Sequence, residues 1–236
     1  MLRTGIDQGP ALACKTLRVR GSAGVKLWLA GPIDAYAVPE NLWNVLSTTE
    51  KDRADRFVQP ADRALFIAAR GLLRCLLSEA TNIVAKNIRF AEGPYGKPYL
   101  SGLPGPHFNV SHSGAFALIG LSEGRPVGVD IERMRFSGDE LNVAQNYFST
   151  AEYRALQGLE QEAMLSVFYK IWTCKEAVFK ACGSGILEHV KSLTVELNKD
   201  RFALDPKPEY VHPALASVCA WPVTVPTGYA GCCALA

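Results

Sequence analysis

Four ionisable side chains in two short stretches carry the chemistry that this sequence offers. In Val127-Gly128-Val129-Asp130-Ile131-Glu132, the apolar Val129 and Ile131 alternate with Asp130 and Glu132. That is the period of a half-buried strand, so both carboxylates leave the same face. In Trp172-Thr173-Cys174-Lys175-Glu176-Ala177-Val178-Phe179-Lys180, the residues Trp172, Glu176 and Lys180 recur at i, i+4 and i+8. They share one face of a helix, with Lys175 beside them. Two carboxylates from a strand end, a third on a helix and a lysine one turn further on suit a divalent cation held against a phosphate. Magnesium is usually bound in this way, by one or two carboxylates together with phosphate oxygens. Each stretch alone also has a plainer reading, as a solvated strand face or a surface ion pair.

The chain around these groups has 236 residues, 48% of them hydrophobic and 20% charged. That is ordinary globular composition, enough for one large domain or two small ones. A net charge of +2 is too small for bulk nucleic-acid binding, so phosphate affinity must come from local clusters of Arg and Lys. The N-terminal twenty residues hold no apolar run of signal-peptide length, and no stretch approaches a membrane span. Seven cysteines are an odd number without metal-ligand spacing, and read as small hydrophobes in a reducing compartment. The expectation is a soluble cytoplasmic protein.

The elements that must position the acids follow from periodicity. Residues 1–24 carry no clear pattern and read as an extension. Residues 25–30 alternate as a strand, stopped by Gly31-Pro32. Ser47-Thr48-Thr49-Glu50 has capping-box spacing and opens a short helix. A longer helix from about 61 to 78 buries Leu65, Ala69, Leu72, Leu73, Leu76 and Leu77. Its Arg63, Arg70 and Arg74 share a neighbouring face, which is either solvated or a wall facing a polyanion. Strands are expected at 87–91, 108–110, 115–121 and 127–131, with a rigid turn at 93–98. Ser149-Thr150-Ala151-Glu152 is a second capping box, ahead of a short helix and a main helix from about 161 to 182 that ends at Gly183. Strands at 192–197, 201–204, 216–221 and 229–235 close the chain.

That order repeats itself: capping box, short helix, long helix, strands, and then the same again. The expected fold class is α+β, a pseudo-two-fold duplication in which each half packs a long helix on a small, mostly antiparallel sheet. The halves are residues 25–124 and 125–236, and the cleft between them is the default ligand site.

Four segments in this order resemble one family. Val127-Gly128-Val129-Asp130-Ile131-Glu132 and Trp172-x-x-Lys175-Glu176-Ala177-x-x-Lys180 look like the signature pair of the 4'-phosphopantetheinyl transferases. Tyr95-Gly96-Lys97-Pro98 and Phe108-Asn109-Val110-Ser111-His112-Ser113 resemble that family's larger, single-chain, Sfp-like class. The likeness covers residues 25–235 and is strongest from Tyr95 to Gly185. It implies that coenzyme A gives its phosphopantetheine arm to a serine of an acyl or peptidyl carrier protein, releasing 3',5'-ADP. It implies magnesium, with manganese as a substitute, on Asp130, Glu132 and Glu176. Lys180 would contact the pyrophosphate beside Lys175, and Glu176 would take the serine proton. Lys97, Ser111 and His112 would hold the nucleotide and its 3'-phosphate, and Arg53 and Arg63 sit where the family places basic residues. One basic position of the first short helix is Glu50 here, with Lys51 adjacent. A monomer is expected, with the carrier docking around Asn146-Tyr147-Phe148 and the helix after it.

The residues alone leave other readings open. His112 between two serines also fits a turn, Lys97 before a proline a solvated turn, and Trp172 the core. A magnesium-dependent nucleotide phosphohydrolase would use the same carboxylates on water. A non-catalytic coenzyme A-binding protein would not need them.

Overall fold

The computed structural model describes residues 12–19, 24–183, 190–207 and 213–236. The chain begins with β1 (Cys14–Leu17) and β2 (Val25–Ala30), and continues through α1 (Glu40–Asn44), α2 (Thr48–Asp55) and α3 (Pro60–Thr81). A short hairpin of β3 (Phe90–Glu92) and β4 (Pro98–Leu100) precedes β5 (His107–Ser113), β6 (Phe116–Ser122) and β7 (Val127–Arg133). Then come α4 (Glu140–Tyr147), α5 (Thr150–Gln157), α6 (Gln161–Cys182), the hairpin β8 (Leu193–Glu196) and β9 (Ala203–Pro206), and finally β10 (Cys219–Pro222) and β11 (Tyr229–Leu235). The fold is α+β. One antiparallel sheet has the order β1-β2-β6-β5 and another the order β10-β11-β7.

β6 shows why these sequences make this layering. Its unbroken apolar run, rather than an alternating one, means that both faces must be covered. Ala117, Ile119 and Leu121 pack with Leu73, Leu77 and Phe108 under α3. Leu118 points the other way, to Val127, Val129 and Ile131 of β7. Each such side chain, fully buried, contributes about 1.5–3 kcal/mol.

The opposite face of β7 meets α6, and Gly128 is what lets it. A β-carbon there would lie 2.0 Å from the Ala177 carbonyl oxygen and 2.4 Å from the Ala181 nitrogen. The helix therefore rests on bare backbone at Gly128, and the next residue on that face, Asp130, is carried against the side chains of α6.

Both capping boxes are present, and each does more than cap. The Ser47 side chain accepts from the Glu50 N–H and Glu50 accepts from the Ser47 N–H; Ser149 and Glu152 repeat the arrangement. Each glutamate is buried and bound to a cation of the following 22-residue helix. Glu50 accepts from Arg70 and Arg74 of α3, and Glu152 pairs with Lys175 of α6 at 2.9 Å. This settles the arginine row expected along α3. Arg74 is 2% exposed and also donates to the carbonyls of Ala85 and Ile88, so it is an internal strut and not part of a wall.

Several elements differ from expectation. Within the expected extension, residues 1–11 and 20–23 lie outside the described residues, as does Gly185, but Cys14–Leu17 form an edge strand on β2. The turn expected through Pro98 already opens β4 there. α1 and α4 were not anticipated. In α4, Asp139 makes no side-chain cap; instead Glu140, the first helical residue, accepts from the backbone of Ser137 and Gly138, so the Ser137-Gly138-Asp139-Glu140 spacing marks the start of this helix.

Candidate functional site

β5 and β7 meet where the two sheets abut, without sharing a main-chain ladder. One edge of β7 pairs with β11. On the other edge its N–H groups find side chains of β5: Val129 N–H donates to Asn109 Oδ1 at 2.9 Å, Ile131 N–H to Ser111 Oγ at 3.3 Å, and Arg133 N–H to Ser113 Oγ at 3.0 Å. Buried N–H groups need acceptors, and here hydroxyl and amide oxygens supply them. The two serines then donate onward, Ser111 to Asp130 Oδ1 at 2.8 Å and Ser113 to Glu132 Oε2 at 2.7 Å.

Beside this seam lies a pocket of about 270 Å³ lined by Ser111, His112, Asp130, Glu132, Glu176 and Lys180. The strand and the helix thus bring together all four groups singled out by spacing. Lys180 Nζ lies 2.6 Å from Asp130 Oδ1 and 3.9 Å from Glu176 Oε2. Burial, reinforced by the neighbouring carboxylates, holds the carboxyls of Glu132 and Glu176 above the usual carboxylate range; Ser113 and Lys180 offset part of this. Asp130 is 1% exposed, and its Oδ2 has no hydrogen-bond partner. Among the described residues no group of three His, Cys, Asp or Glu side chains is placed to hold a metal ion by itself. A hard cation that takes one or two carboxylates and completes its shell with phosphate and water needs no such closed set. The unpartnered oxygen of a buried aspartate, flanked by two carboxyls, fits that demand.

The pocket shares Val110 and His112 with a cleft of about 470 Å³ whose walls include Arg53, Arg56, Arg70 and Phe66, together with Glu50 and Glu92. Burial, together with the cations of Lys180 and Arg53, holds His112 below the ordinary imidazole pKa. Arg53 lies over the Phe66 ring at 5.2 Å. A cleft with several cations near one another suits a polyanion. A third cavity, about 540 Å³, meets the pocket at Glu132 and Glu176 and is walled by Val143, Tyr147, Phe168 and Trp172. Trp172 is half-buried and stacked on Phe168, so it belongs to the helix core and to this wall together.

Three residues expected at the ligand are placed otherwise. Lys175 is fully buried, bound to Glu152 and donating to the carbonyls of Val190 and Leu193. Its position next to Glu176 in sequence turns it 100° around the helix and into the core. Arg63 pairs with Asp55 at 2.8 Å and covers Trp43 at 4.9 Å, outside the lining of the cleft. Lys97 donates to the carbonyls of Val127 and Ala181 at 3.1 and 3.0 Å, bridging the start of β7 to the end of α6. Ser111 is in the pocket, but its hydroxyl is committed to Asp130.

Burial pulls the Lys97 ammonium down to about 8 from 10.5. Below pH 8 the folded protein therefore carries the full cost of burying that charge. Between about 8 and 10.5 the folded chain has released a proton that the unfolded chain keeps, so stability rises with pH. The stability of the wild type relative to Lys97→Met is expected to improve from pH 7.5 to pH 10.5 in urea-unfolding curves.

Ser113, Asn109 and Arg56 were not singled out from sequence. The signal for the first two was present: Asn109, Ser111 and Ser113 alternate in step with Val129, Ile131 and Arg133, always twenty residues apart. Arg56 sits at the C-cap of a short helix, where no local pattern marks it.

Comparison with known proteins places the chain in a family. A family profile described as the 4'-phosphopantetheinyl transferase superfamily matches residues 126–221, and one described as 4'-phosphopantetheinyl transferase, N-terminal, matches residues 38–124. A Synechocystis sp. protein named provisionally as such a transferase is 37% identical, over 68% of this chain and 65% of its own length. The transferase HetI of Nostoc sp. is 37% identical over 69% of this chain and 70% of its own. Sfp of Bacillus subtilis is 30% identical over 68% and 70%. A solved structure, an ACPS–CoA complex from Chronobacterium ammoniagenes, has 22% identity and a TM-score of 0.38 over 47% of this chain and 95% of that one. Two adjoining profile matches, and relatives 30–37% identical that align over about two thirds of both chains, make this an enzyme of the 4'-phosphopantetheinyl transferase superfamily, in its larger, Sfp-like class.

Proposed function

We propose that this transferase takes the phosphopantetheine arm from coenzyme A and passes it to a serine of an acyl or peptidyl carrier protein, releasing 3',5'-ADP. The observation that carries this reading is Asp130, buried with one oxygen on Lys180 and Ser111 and the other unpartnered, in a pocket that shares Val110 and His112 with a cleft lined by Arg53, Arg56 and Arg70. Asp130, Glu132 and Glu176 would hold magnesium, or manganese in its place. Bound there, the ion would polarise the pyrophosphate for in-line attack.

The chain's own residues do the rest. Phosphoryl transfer asks for positioning and charge neutralisation more than for a protein nucleophile. Glu176, in the pocket beside Lys180, accepts the proton of the attacking serine. The serine oxygen bonds to the β-phosphorus, and the bond to the bridging oxygen breaks. Lys180 neutralises charge on the departing phosphate. His112 and Arg53 hold the phosphates of the nucleotide in the larger cleft. Lys97 supports this cleft from behind through the carbonyls of Val127 and Ala181.

The carrier docks over the apolar cavity beside Tyr147 and Trp172, with Arg154 and Lys170 meeting its acidic surface. The chain works as a cytoplasmic monomer, divided at residues 25–124 and 125–236. Equal 22-residue helices, each holding a capping-box glutamate, support an internal duplication. No described helix is long and apolar enough to cross a membrane.

The test is mass spectrometry of apo carrier proteins incubated with the chain, coenzyme A and magnesium. The expected result is a gain of one phosphopantetheine arm on at least one of a fatty-acid, polyketide or peptide-synthetase carrier, abolished in Glu176→Ala. Phosphate released from nucleotides without any carrier, and no mass gain on all three, would replace this reading with a phosphohydrolase.

A further inference from the structure

The three β5 side chains at the seam do not have equal roles. Asn109 ends its chain of contacts at Val129, whereas each serine continues to an acid. Ser113 differs from Ser111 in that Glu132 receives no other side-chain hydrogen bond among the described residues. A serine hydroxyl has one proton and can also accept. The Arg133 N–H at 3.0 Å occupies an acceptor site on Ser113 Oγ. The hydroxyl proton is then free to point to Glu132 Oε2, 2.7 Å away. The hydroxyl is thus a directed donor and not a freely rotating one.

Its backbone is fixed from the other sheet. The turn after β5 uses Gly114 at φ +58, and a β-carbon there would lie 2.4 Å from the Tyr229 hydroxyl oxygen. That same oxygen accepts from the Ala115 N–H at 3.2 Å. Tyr229 begins β11, whose register puts it opposite Arg133. Ser113 is therefore clamped by β7 on one side and by the first residue of β11 on the other, and it holds a carboxylate that is only half-buried.

We infer that Ser113 is a positioning residue, whose hydroxyl fixes one oxygen of Glu132 so that the carboxylate meets the pocket cation in a single orientation. This rests on the reading of Asp130, Glu132 and Glu176 as the cation's ligands. Ligating carboxylates are commonly oriented by such outer hydrogen bonds, and losing one costs about 10–100-fold in metal affinity. Ser111 has the same wiring toward Asp130, but there Lys180 shares the oxygen, so its removal is backed up. Ser113 has no such substitute.

The experiment titrates manganese into the purified full chain, without coenzyme A or carrier, and follows the free ion by electron paramagnetic resonance. Ser113→Ala is expected to weaken manganese binding about tenfold, with the metal-free melting temperature close to that of the wild type. Ser113→Thr, which keeps the hydroxyl, is expected to restore binding, and Ser113→Val, of the same shape without it, is expected to match Ser113→Ala. The Thr and Val pair also decides the matter if the alanine variant does not fold. Wild-type affinity in Ser113→Ala or Ser113→Val, or weakened binding in Ser113→Thr, overturns the role of Ser113 while leaving the metal site standing. A wild-type chain that binds no manganese overturns both.

Discussion

Asp130→Asn is expected to give a folded protein whose turnover is lower by about 10²–10³-fold, the scale of losing one preorganised electrostatic contact in a reacting centre. Asparagine keeps the shape, and its carbonyl oxygen still accepts from Ser111. What it loses is the charge that faces Lys180 at 2.6 Å and the oxygen left without a partner. Lys180 is partly exposed, so water can take over its solvation and the stability cost stays small. Single-turnover transfer at saturating magnesium, together with a melting curve, separates the two effects. A rate within a few fold of the wild type would remove Asp130 from the reaction and with it the case for the metal.

Lys175→Met is expected to do the opposite, reducing stability by about 3–5 kcal/mol, as when one partner of a buried ion pair is removed. The Glu152 carboxylate would keep its bonds from the Ser149 and Val195 N–H groups but lose its countercharge in a buried site. Two carbonyls, those of Val190 and Leu193, would also lose their donor. The strut joins the capping box of α5, the centre of α6 and the start of β8, so the loss is cooperative. Urea unfolding measures it directly. The surviving folded protein is expected to keep its KM for coenzyme A, since the ammonium faces none of the cavities. A large rise in KM with unchanged stability would return Lys175 to the ligand.

The difference between these residues shows what could be read without coordinates. Periodicity on β7 and α6 put Asp130, Glu132, Glu176 and Lys180 on faces that the structure brings to one pocket, because a strand face and a helix face are local properties. It could not separate Lys175 from its neighbours, because adjacency in sequence says nothing about which side of a helix meets the core. The arginines of α3 share this fate. Spacing put them on one face, but Glu50, twenty residues upstream of Arg70, ties down two of them, with Arg74 buried and Arg70 in the wall of the cleft. The same contact gives Glu50, in the first short helix, a structural role in this chain. α1 and α4 were missed because their ends lack side-chain caps, and Cys14–Leu17 because an edge strand is defined by its neighbour β2 and by no pattern of its own.

The side-chain stitching of β5 to β7 also forbids slippage. Moving β5 by one residue would offer Phe108, Val110 and His112 to the three amides of β7; two of these have no acceptor at all, and the imidazole is the wrong length. Moving it by two would strand an amide at one end. Two main-chain strands can often slide and re-pair, since every residue offers the same carbonyl. Here only one alignment satisfies all three donors, and it is the alignment that sets His112 and the acids around a common hollow. An error in folding at this crease would therefore be unstable rather than merely inactive, so the catalytic arrangement is proofread by the act of closing the two sheets.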